Sequence, residues 1–333
     1  MPSGGLTLVT GSTGHLGEAL VRTLRAAGRA VRGVDVLASP CTDVVGSIVD
    51  PAVVDRCMSG VTDVIHAATL HKPHVATHSH QQFVDTNITG TLQLLEAAVR
   101  ARVRGFLYTS TTSTFGDALT PPPGTPAAWI TEDVVPRPKN IYGVTKVAAE
   151  DLCQLAHRNQ GLACLVLRTS RFFPEPDDDP VAHAAYADAN LKLNEYLNRR
   201  VDIEDVVDAH LCALDRAPAL GFGRYIISAP TPFLPDDAEA LRRDAPAVLR
   251  RRVPGWEPIY ARLGWRMAPS LDRVYDSTRA RTDLHWQPRH DFAAVLARAA
   301  ATGDIRSPLA RAIGSKGYHP AAADPVGPGA RDG

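Results

Sequence analysis

Along the first two thirds of this chain, short apolar runs alternate with stretches in which apolar residues return every third or fourth position. Gly5–Thr10 is such a run, too short and too evenly apolar for an amphipathic helix, and reads as a strand buried on both faces. Leu16, Leu20 and Leu24 then share one helical face through Ala27, and Gly28 closes that helix. The same alternation predicts strands at Ala30–Val36, Val44–Ile48 (the weakest), Thr62–Ala67, Gly105–Ser110 and Ala163–Arg168. Helices are predicted at Pro51–Met58, Phe83–Arg100 and Ile141–Asn159. Strands that alternate with helices form a parallel sheet covered on both faces, because each helix carries the chain back to the same edge.

The rhythm loosens after Arg168. Pro174–Pro180 holds three prolines and three consecutive aspartates and reads as a turn or lid loop. A helix over Val201–Leu214, preceded by a short strand, and a strand at Arg224–Ser228 return to the sheet. Beyond Pro232 the chain is rich in proline and arginine and mostly helical. The expected division is an α/β domain over 1–170, which also receives elements from about 191–229 and 276–300. A small, mostly helical lobe takes 171–190 and 230–275. Residues 314–333, rich in Gly, Pro and Ala, are expected to form a flexible tail.

Between the first strand and the first helix stands Gly11-Ser12-Thr13-Gly14-His15-Leu16-Gly17. In a strand–turn–helix of this kind Gly11 permits the tight turn, Gly14 admits a pyrophosphate to the backbone, and Gly17 lets the helix pack on the sheet. Thr13, His15 and Leu16 complete the turn at the positive end of the helix dipole. Asp35 ends the second strand 18 residues beyond Gly17, where a carboxylate accepts hydrogen bonds from an adenosine ribose and repels a 2′-phosphate. The next cation after Asp35 is Arg56, and Arg32 lies inside the strand facing elsewhere, so NAD is expected in preference to NADP. With this turn the fold expected is α/β of Rossmann type, a doubly wound parallel sheet.

About 130 residues later, Tyr142 and Lys146 stand four apart on one helix face. A free tyrosine titrates near 10, and an adjacent ammonium lowers that value toward the working range of a proton carrier. The chain holds 31 arginines and only five lysines, which sets Lys146 apart from the background. A hydride-accepting cofactor and a proton-carrying phenol together make an alcohol–carbonyl redox step. Zero net charge gives no general attraction to nucleic acid or an anionic membrane, and no apolar run reaches the roughly 20 residues of a membrane span. Five scattered cysteines without CxxC spacing read as reduced thiols of a cytoplasmic protein.

These elements resemble the short-chain dehydrogenase/reductase superfamily, in its extended NAD-dependent epimerase/dehydratase branch, closely over 6–217 and more loosely over 260–300. His66-Ala67-Ala68 resembles the family's segment near the cofactor, and Asn87 in Thr86-Asn87-Ile88-Thr89-Gly90-Thr91 matches its long-helix asparagine. Leu107–Gly116 resembles the serine-rich strand end, Val201–Val206 the short strand before a helix, and Tyr275–Trp286 the closing segment. The resemblance implies a catalytic set of Thr111, Tyr142, Lys146 and Asn87, with Ser110 the alternative hydroxyl if the register shifts by one. It adds Ser47, Ile48, Ala67, Ala68 and Ser110 to the cofactor contacts, and a homodimer paired through helices at about 84–101 and 141–159.

The chain also departs from the branch. Thr112 and Ser113 stand where 4,6-dehydratases carry Asp-Glu, so elimination chemistry is not expected. Ser47 stands where many members have an adenine-contacting aspartate. Arg171 replaces the asparagine of sugar-nucleotide enzymes, only 28 residues lie between it and Arg200, and Arg266 falls at a phosphate-binding position. His71, His74 and Thr112 fall near the substrate pocket, and Arg250-Arg251-Arg252 reads as a solvated face. The histidines of 66–80 match no familiar ligand spacing, and no metal is expected. The expected activity is NAD-dependent oxidation or reduction of a secondary alcohol or ketone on a sugar-like or other polyfunctional small molecule. A sugar-nucleotide epimerase with transient oxidation is the alternative, and a dinucleotide-binding redox sensor the alternative of another class.

Overall fold

The computed structural model describes residues 5–175 and 184–317. Seven parallel strands form the central sheet: β1 (Leu6–Thr10), β2 (Val31–Asp35), β3 (Val44–Val45), β4 (Val61–His66), β5 (Gly105–Thr111), β7 (Cys164–Thr169) and β8 (Phe222–Ile227), in the order β3-β2-β1-β4-β5-β7-β8. The chain runs outward from β1 to β3 and then resumes on the other side at β4. The reversal opens a crevice at the carboxyl ends of β1 and β4, where open α/β sheets bind ligands.

Helices cover both faces. Helix α1 (His15–Ala26) packs with α7 (Ile203–Leu220) and α13 (Pro308–Ile313) over Val9, Ile65, Leu107 and Leu167. The opposite face, Leu8, Val64, Phe106 and Val166, is covered by α2 (Pro51–Met58), α4 (Gly90–Ala101) and α5 (Ile141–Gln160). Burial of the strands from both sides explains their unbroken apolar runs. The doubly wound α/β architecture expected from the sequence is the one observed.

The stretch expected as one helix from Phe83 is three pieces. Short α3 (His80–Val84) runs into a wider π-helical turn at Asp85–Thr89, which leads into α4. That widened turn carries Asn87. Another apolar cluster gathers α6 (Asp188–Tyr196), α8 (Ala238–Arg243), α9 (Ala245–Arg252), α10 (Trp256–Leu263) and α12 (Phe292–Thr302) into the helical lobe. A pair of three-residue strands, β6 (Ala128–Ile130) and β9 (Arg273–Tyr275), adds a small parallel ribbon, with α11 (Thr278–Asp283) following. Nothing in the apolar pattern announces strands so short. Of the expected Pro174–Pro180 loop, Pro174 and Glu175 are described and the rest lies outside the described residues. Of the expected tail, Gly314–Gly317 are described and lie against the first turn of α1.

Candidate active site

The glycine turn after β1 is built by contacts that only glycine allows. Gly11 has φ +71°, and a Cβ there would lie 2.8 Å from the Ala68 amide nitrogen. A Cβ on Gly17 would meet the Gly11 carbonyl at 1.9 Å, so α1 packs onto the turn backbone to backbone. Gly14 is the helix N-cap and carries no capping side chain, which leaves the first amides of α1 for an anion.

Beside the turn, one hydrogen-bond chain ties two strand ends to the start of α4. The Thr10 hydroxyl accepts from the Ala67 and Ala68 amides at 3.1 and 3.0 Å, so its own proton goes to His66 Nδ1 at 2.7 Å. The other ring nitrogen therefore carries the proton and donates to Thr91 Oγ1 at 2.9 Å, and Thr91 donates to the Asn87 carbonyl at 2.7 Å. Burial, helped by the charge of Lys146, pushes the His66 pKa down to about 3, so the imidazole is neutral, as the chain requires.

Asp35 stands at the end of β2. Its carboxylate accepts from the Thr13 amide at 3.0 Å and the Leu37 amide at 3.1 Å, which locks it above the turn. Next to it, Val36 and Leu37 are 60% and 40% exposed and Val45 is 52% exposed, an apolar shelf on which a planar base could lie. Arg32 donates to the Cys57 and Ser59 carbonyls, pointing away from Asp35. Ser47 caps its own loop by accepting from Val49, and Ile48 is buried against Gly90. The residues present suit a dinucleotide: open amides for the pyrophosphate, a fixed carboxylate for the ribose, and apolar surface for the base.

At the far side of the crevice, Asn140 caps α5 through the Gly143 amide at 3.1 Å and thereby sets Tyr142 in the first turn. Tyr142 is buried and hydrogen-bonded to Thr111. Burial pushes the phenol up to about 12, and the Thr111 bond works against that rise. Lys146 is 1% exposed. It donates to the Thr109 carbonyl at 2.7 Å and sits 4.1 Å over the ring of Tyr108. Burial pushes its ammonium down to about 7, opposed by the carboxylate of Glu150 one turn further on. Tyr142 thus stands against Thr111 at the end of β5, and the buried Lys146 lies one helix turn further along α5.

Ser110 is turned the other way. Its hydroxyl donates to Glu150 Oε1 at 2.6 Å, and the same carboxylate takes Arg168 Nη2 at 2.7 Å and Arg224 Nε at 3.2 Å. Of the two hydroxyls, the one beside the phenol belongs to Thr111. Asn87 is fully engaged: its carbonyl oxygen accepts from the Leu70 amide at 2.8 Å and Thr69 Oγ1 at 3.0 Å, and its amide donates to the Leu70 carbonyl and to Thr145. It joins the loop after β4 to α5, one residue before Lys146. Thr112 is buried at the start of the following turn.

The residues expected near the substrate divide into two groups. His71 and His74 pack edge to face at 4.6 Å, and His71 also packs on Phe173 at 5.6 Å. Burial pushes His71 down to about 3. Arg171 lies 3.8 Å from the buried Glu195, which also takes Arg199 at 2.7 Å and Arg200 at 2.8 Å. Arg266 belongs to the lobe. Its backbone is held by Asn190 and Asn194, and its guanidinium bonds the Ala185 carbonyl and lies 4.9 Å over Tyr186. Sequence reasoning missed Glu150, Phe173 and Glu175. Glu150 alone carried a legible signal, four residues beyond Lys146 and so one turn along the same face. Among the described residues no group of His, Cys, Asp or Glu could hold a metal ion, and no helix is long and apolar enough to cross a membrane.

Comparison with known proteins agrees with this geometry. The description "NAD dependent epimerase/dehydratase family" matches residues 7–227. A UDP-glucose 4-epimerase of Lactobacillus helveticus is 25% identical over 319 residues, covering 85% of this chain and 92% of that protein. A dTDP-glucose 4,6-dehydratase of Streptomyces antibioticus is 30% identical over 330 residues, covering 87% and 90%. Among solved structures, a short-chain dehydrogenase/reductase superfamily protein of Agrobacterium tumefaciens with bound NAD superposes with a TM-score of 0.64 at 25% identity, covering 89% of this chain and 96% of that one. With a glycine turn, an aspartate fixed at the end of β2 and the matched segment spanning the parallel sheet, the chain belongs to the NAD-dependent epimerase/dehydratase family, enzymes of the extended short-chain dehydrogenase type whose cofactor is NAD.

Proposed function

We propose that this enzyme oxidises a secondary alcohol, or reduces the matching ketone, on a sugar-like or other polyfunctional small molecule. The observation that carries the reading is the buried Tyr142 against Thr111 at the carboxyl end of β5, with Lys146 one helix turn further along α5, across the crevice from the glycine turn. NAD, when bound, supplies the hydride acceptor. Gly11, Thr13, Gly14, His15, Leu16 and Gly17 would hold its pyrophosphate, Asp35 its adenosine ribose, and Val36, Leu37, Ser47 and Ile48 would flank the base.

The protein's own part is proton transfer and orientation. Thr111 holds the reacting oxygen by a hydrogen bond while Tyr142, as phenolate, takes the hydroxyl proton; in reduction, Tyr142 as phenol returns it. Burial alone would keep Tyr142 protonated, so the phenolate needs a stabilising cation, and Lys146, one helix turn further along the same face, is the residue proposed to supply it. Burial of the ammonium in turn weakens its hold on its own proton. Asn87 acts from behind, fixing the β4 loop to α5.

Thr112 and Ser113 offer no carboxylate for elimination, which argues against the 4,6-dehydratase activity named for the Streptomyces relative. The engaged Arg171 and Arg266 and the short 171–200 stretch favour a compact substrate, and hence a net dehydrogenase or reductase. Likeness to a UDP-glucose 4-epimerase along 85% of the chain favours a second reading, in which hydride returns to the opposite face of the same substrate. A panel of sugars, sugar nucleotides and cyclic alcohols, followed at the NADH absorbance and by isomer analysis, separates them. Net NADH formation supports the first reading, isomer exchange without it supports the second, and neither result with any substrate counts for a dinucleotide sensor.

Leu92 on α4 and Val144 and Leu155 on α5 are exposed apolar residues on the two helices expected to pair. They support a homodimer through a four-helix interface, and light scattering that finds only monomer rules it out. All five cysteines are free, which fits a cytoplasmic protein; finding the chain secreted with oxidised thiols would overturn that.

A further inference from the structure

The imidazole of His15 sits in the first turn of α1, within the phosphate-binding loop, yet it is 6% exposed because elements from two distant parts of the chain close on it. The first is the loop after β7. Phe173 packs edge-on to His15 at 5.4 Å and also touches His71. In the sheet order, β5 and β4 lie between β7 and β1. The 172–175 loop therefore arches over the carboxyl edge of two strands to reach the turn after β1. A dinucleotide running from that turn toward Tyr142 must follow the same edge.

The second is the end of the described chain. Glu175 Oε1 lies 2.9 Å from His15 Nε2, and the same oxygen accepts from Ser315 Oγ at 2.8 Å, the Lys316 amide at 2.9 Å and the Gly317 amide at 3.3 Å. The Lys316 ammonium closes on Glu18, which also pairs with Arg22 in α1. A single carboxylate thus links the β7 loop, the glycine turn and a segment 140 residues downstream. Burial works to raise the Glu175 pKa, yet His15 and the Lys316 amide hold it down at about 2, so the link is charged throughout the neutral range.

We propose that Glu175 and the Ser315–Gly317 segment form a clasp on the phosphate-binding turn, and that this clasp governs how long the dinucleotide stays bound. The idea rests on the NAD reading of the turn. Departure of the cofactor requires the β7 loop to lift from His15, and lifting it breaks the Glu175 bonds together. The clasp also keeps Lys316 at the first turn of α1, where a pyrophosphate brings two negative charges close to Glu18 and Glu175. Slow release would suit a catalyst that regenerates its own cofactor, and fast release one that exchanges it at each turnover.

The test is the rate of NADH release, read by loss of its fluorescence after mixing the NADH-loaded protein with excess NAD. It needs no substrate. Glu175→Ala and a chain ending at Ile313 should each release NADH about tenfold faster or more, the change expected when hydrogen bonds of ordinary net strength are lost. Lys316→Ala should release it a few times faster. Circular dichroism confirms that each variant folds; if the shortened chain does not, Glu175→Ala decides alone. A folded Glu175→Ala protein with the original release rate overturns the clasp. Failure of the unaltered protein to bind NADH at all overturns the NAD reading of the turn itself.

Discussion

Around the carboxyl end of β5, the side chains proposed to carry the chemistry are fixed by uncharged groups. Tyr142 lies two residues past its helix cap, Lys146 bonds a carbonyl two residues before Thr111, and Asn87 bonds Thr145 on the same helix. Around the helical lobe the buried carboxylate of Glu195 is fixed by charged partners, two of them four and five residues along the chain. Glu195 gathers Arg171, Arg199 and Arg200, and Arg266 is anchored by Asn190 and Asn194. The difference is one of kind. The first region presents groups whose proton affinity is altered by burial and left available to chemistry. In the second, the buried charge of Glu195 is answered by opposite charge, which builds a wall.

Replacing the phenol oxygen is the strongest way to break that contrast. Tyr142→Phe keeps the ring and removes the proton carrier, so turnover should fall by about 1,000-fold while NADH binding stays within twofold. Steady-state rates and an NADH fluorescence titration read the two quantities separately. Retained turnover would mean that the corner is another structural wall and that proton transfer happens elsewhere. Loss of NADH binding along with turnover would mean that Tyr142 holds the fold of the crevice and is not confined to chemistry.

The same contrast accounts for what could be read from the sequence. The glycine turn, Asp35 and the Tyr142–Lys146 pair are local patterns whose spacing alone places their side chains, through the turn, the strand end and the helix repeat. The parallel sheet was legible for the same reason, since burial on both faces writes continuous apolar runs. The lobe's arrangement was not. That Arg171 meets Glu195, or that Glu175 meets Ser315, depends on how far loops travel in three dimensions, and neither partner carries a mark that singles it out. The widened turn at Asp85–Thr89 was missed because five residues inside an otherwise helical stretch are too few to change its apolar period visibly. The β6–β9 ribbon was missed because three residues are too few to show a period.

Acid should separate the two regions next. Burial disfavours the Glu195 charge, but Arg200, Arg199 and Arg171 overcome it and hold the pKa down at about 2, below the ordinary 4.5. An acid with a depressed native pKa stabilises the fold above its unfolded value and loses that contribution as pH falls toward the native one. The lobe should therefore lose a few kcal/mol between about pH 4.5 and 2. Lys146 has the opposite sense. Its folded pKa, about 7, lies below the ordinary 10.5, so its burial costs stability below pH 7 and the cost is relieved as pH rises from 7 toward 10.5. Trp129, Trp256 and Trp265 pack on the lobe cluster, so tryptophan emission during urea unfolding follows it across pH. Glu195→Gln should weaken the lobe at neutral pH and flatten its acid dependence. An unchanged slope would remove Glu195 from the account.

The smallest expected effect bears on the shelf beside the glycine turn, where the two means of fixing charge meet. Asp35 is held by the Thr13 and Leu37 amides, and the role proposed for it is to accept from a ribose. Asp35→Ala should weaken NADH binding by about tenfold, the worth of a lost hydrogen bond to a charged acceptor. It should also narrow the preference for NADH over NADPH, because the charge that repels a 2′-phosphate is gone. The preference should narrow without inverting, since Arg32 stays bound to the Cys57 and Ser59 carbonyls and supplies no clamp for the phosphate. Parallel fluorescence titrations with the two coenzymes give both numbers. Equal loss for both would show that Asp35 supports only the Thr13 amide and the turn, and would shift the choice of coenzyme to the apolar shelf of Val36 and Leu37.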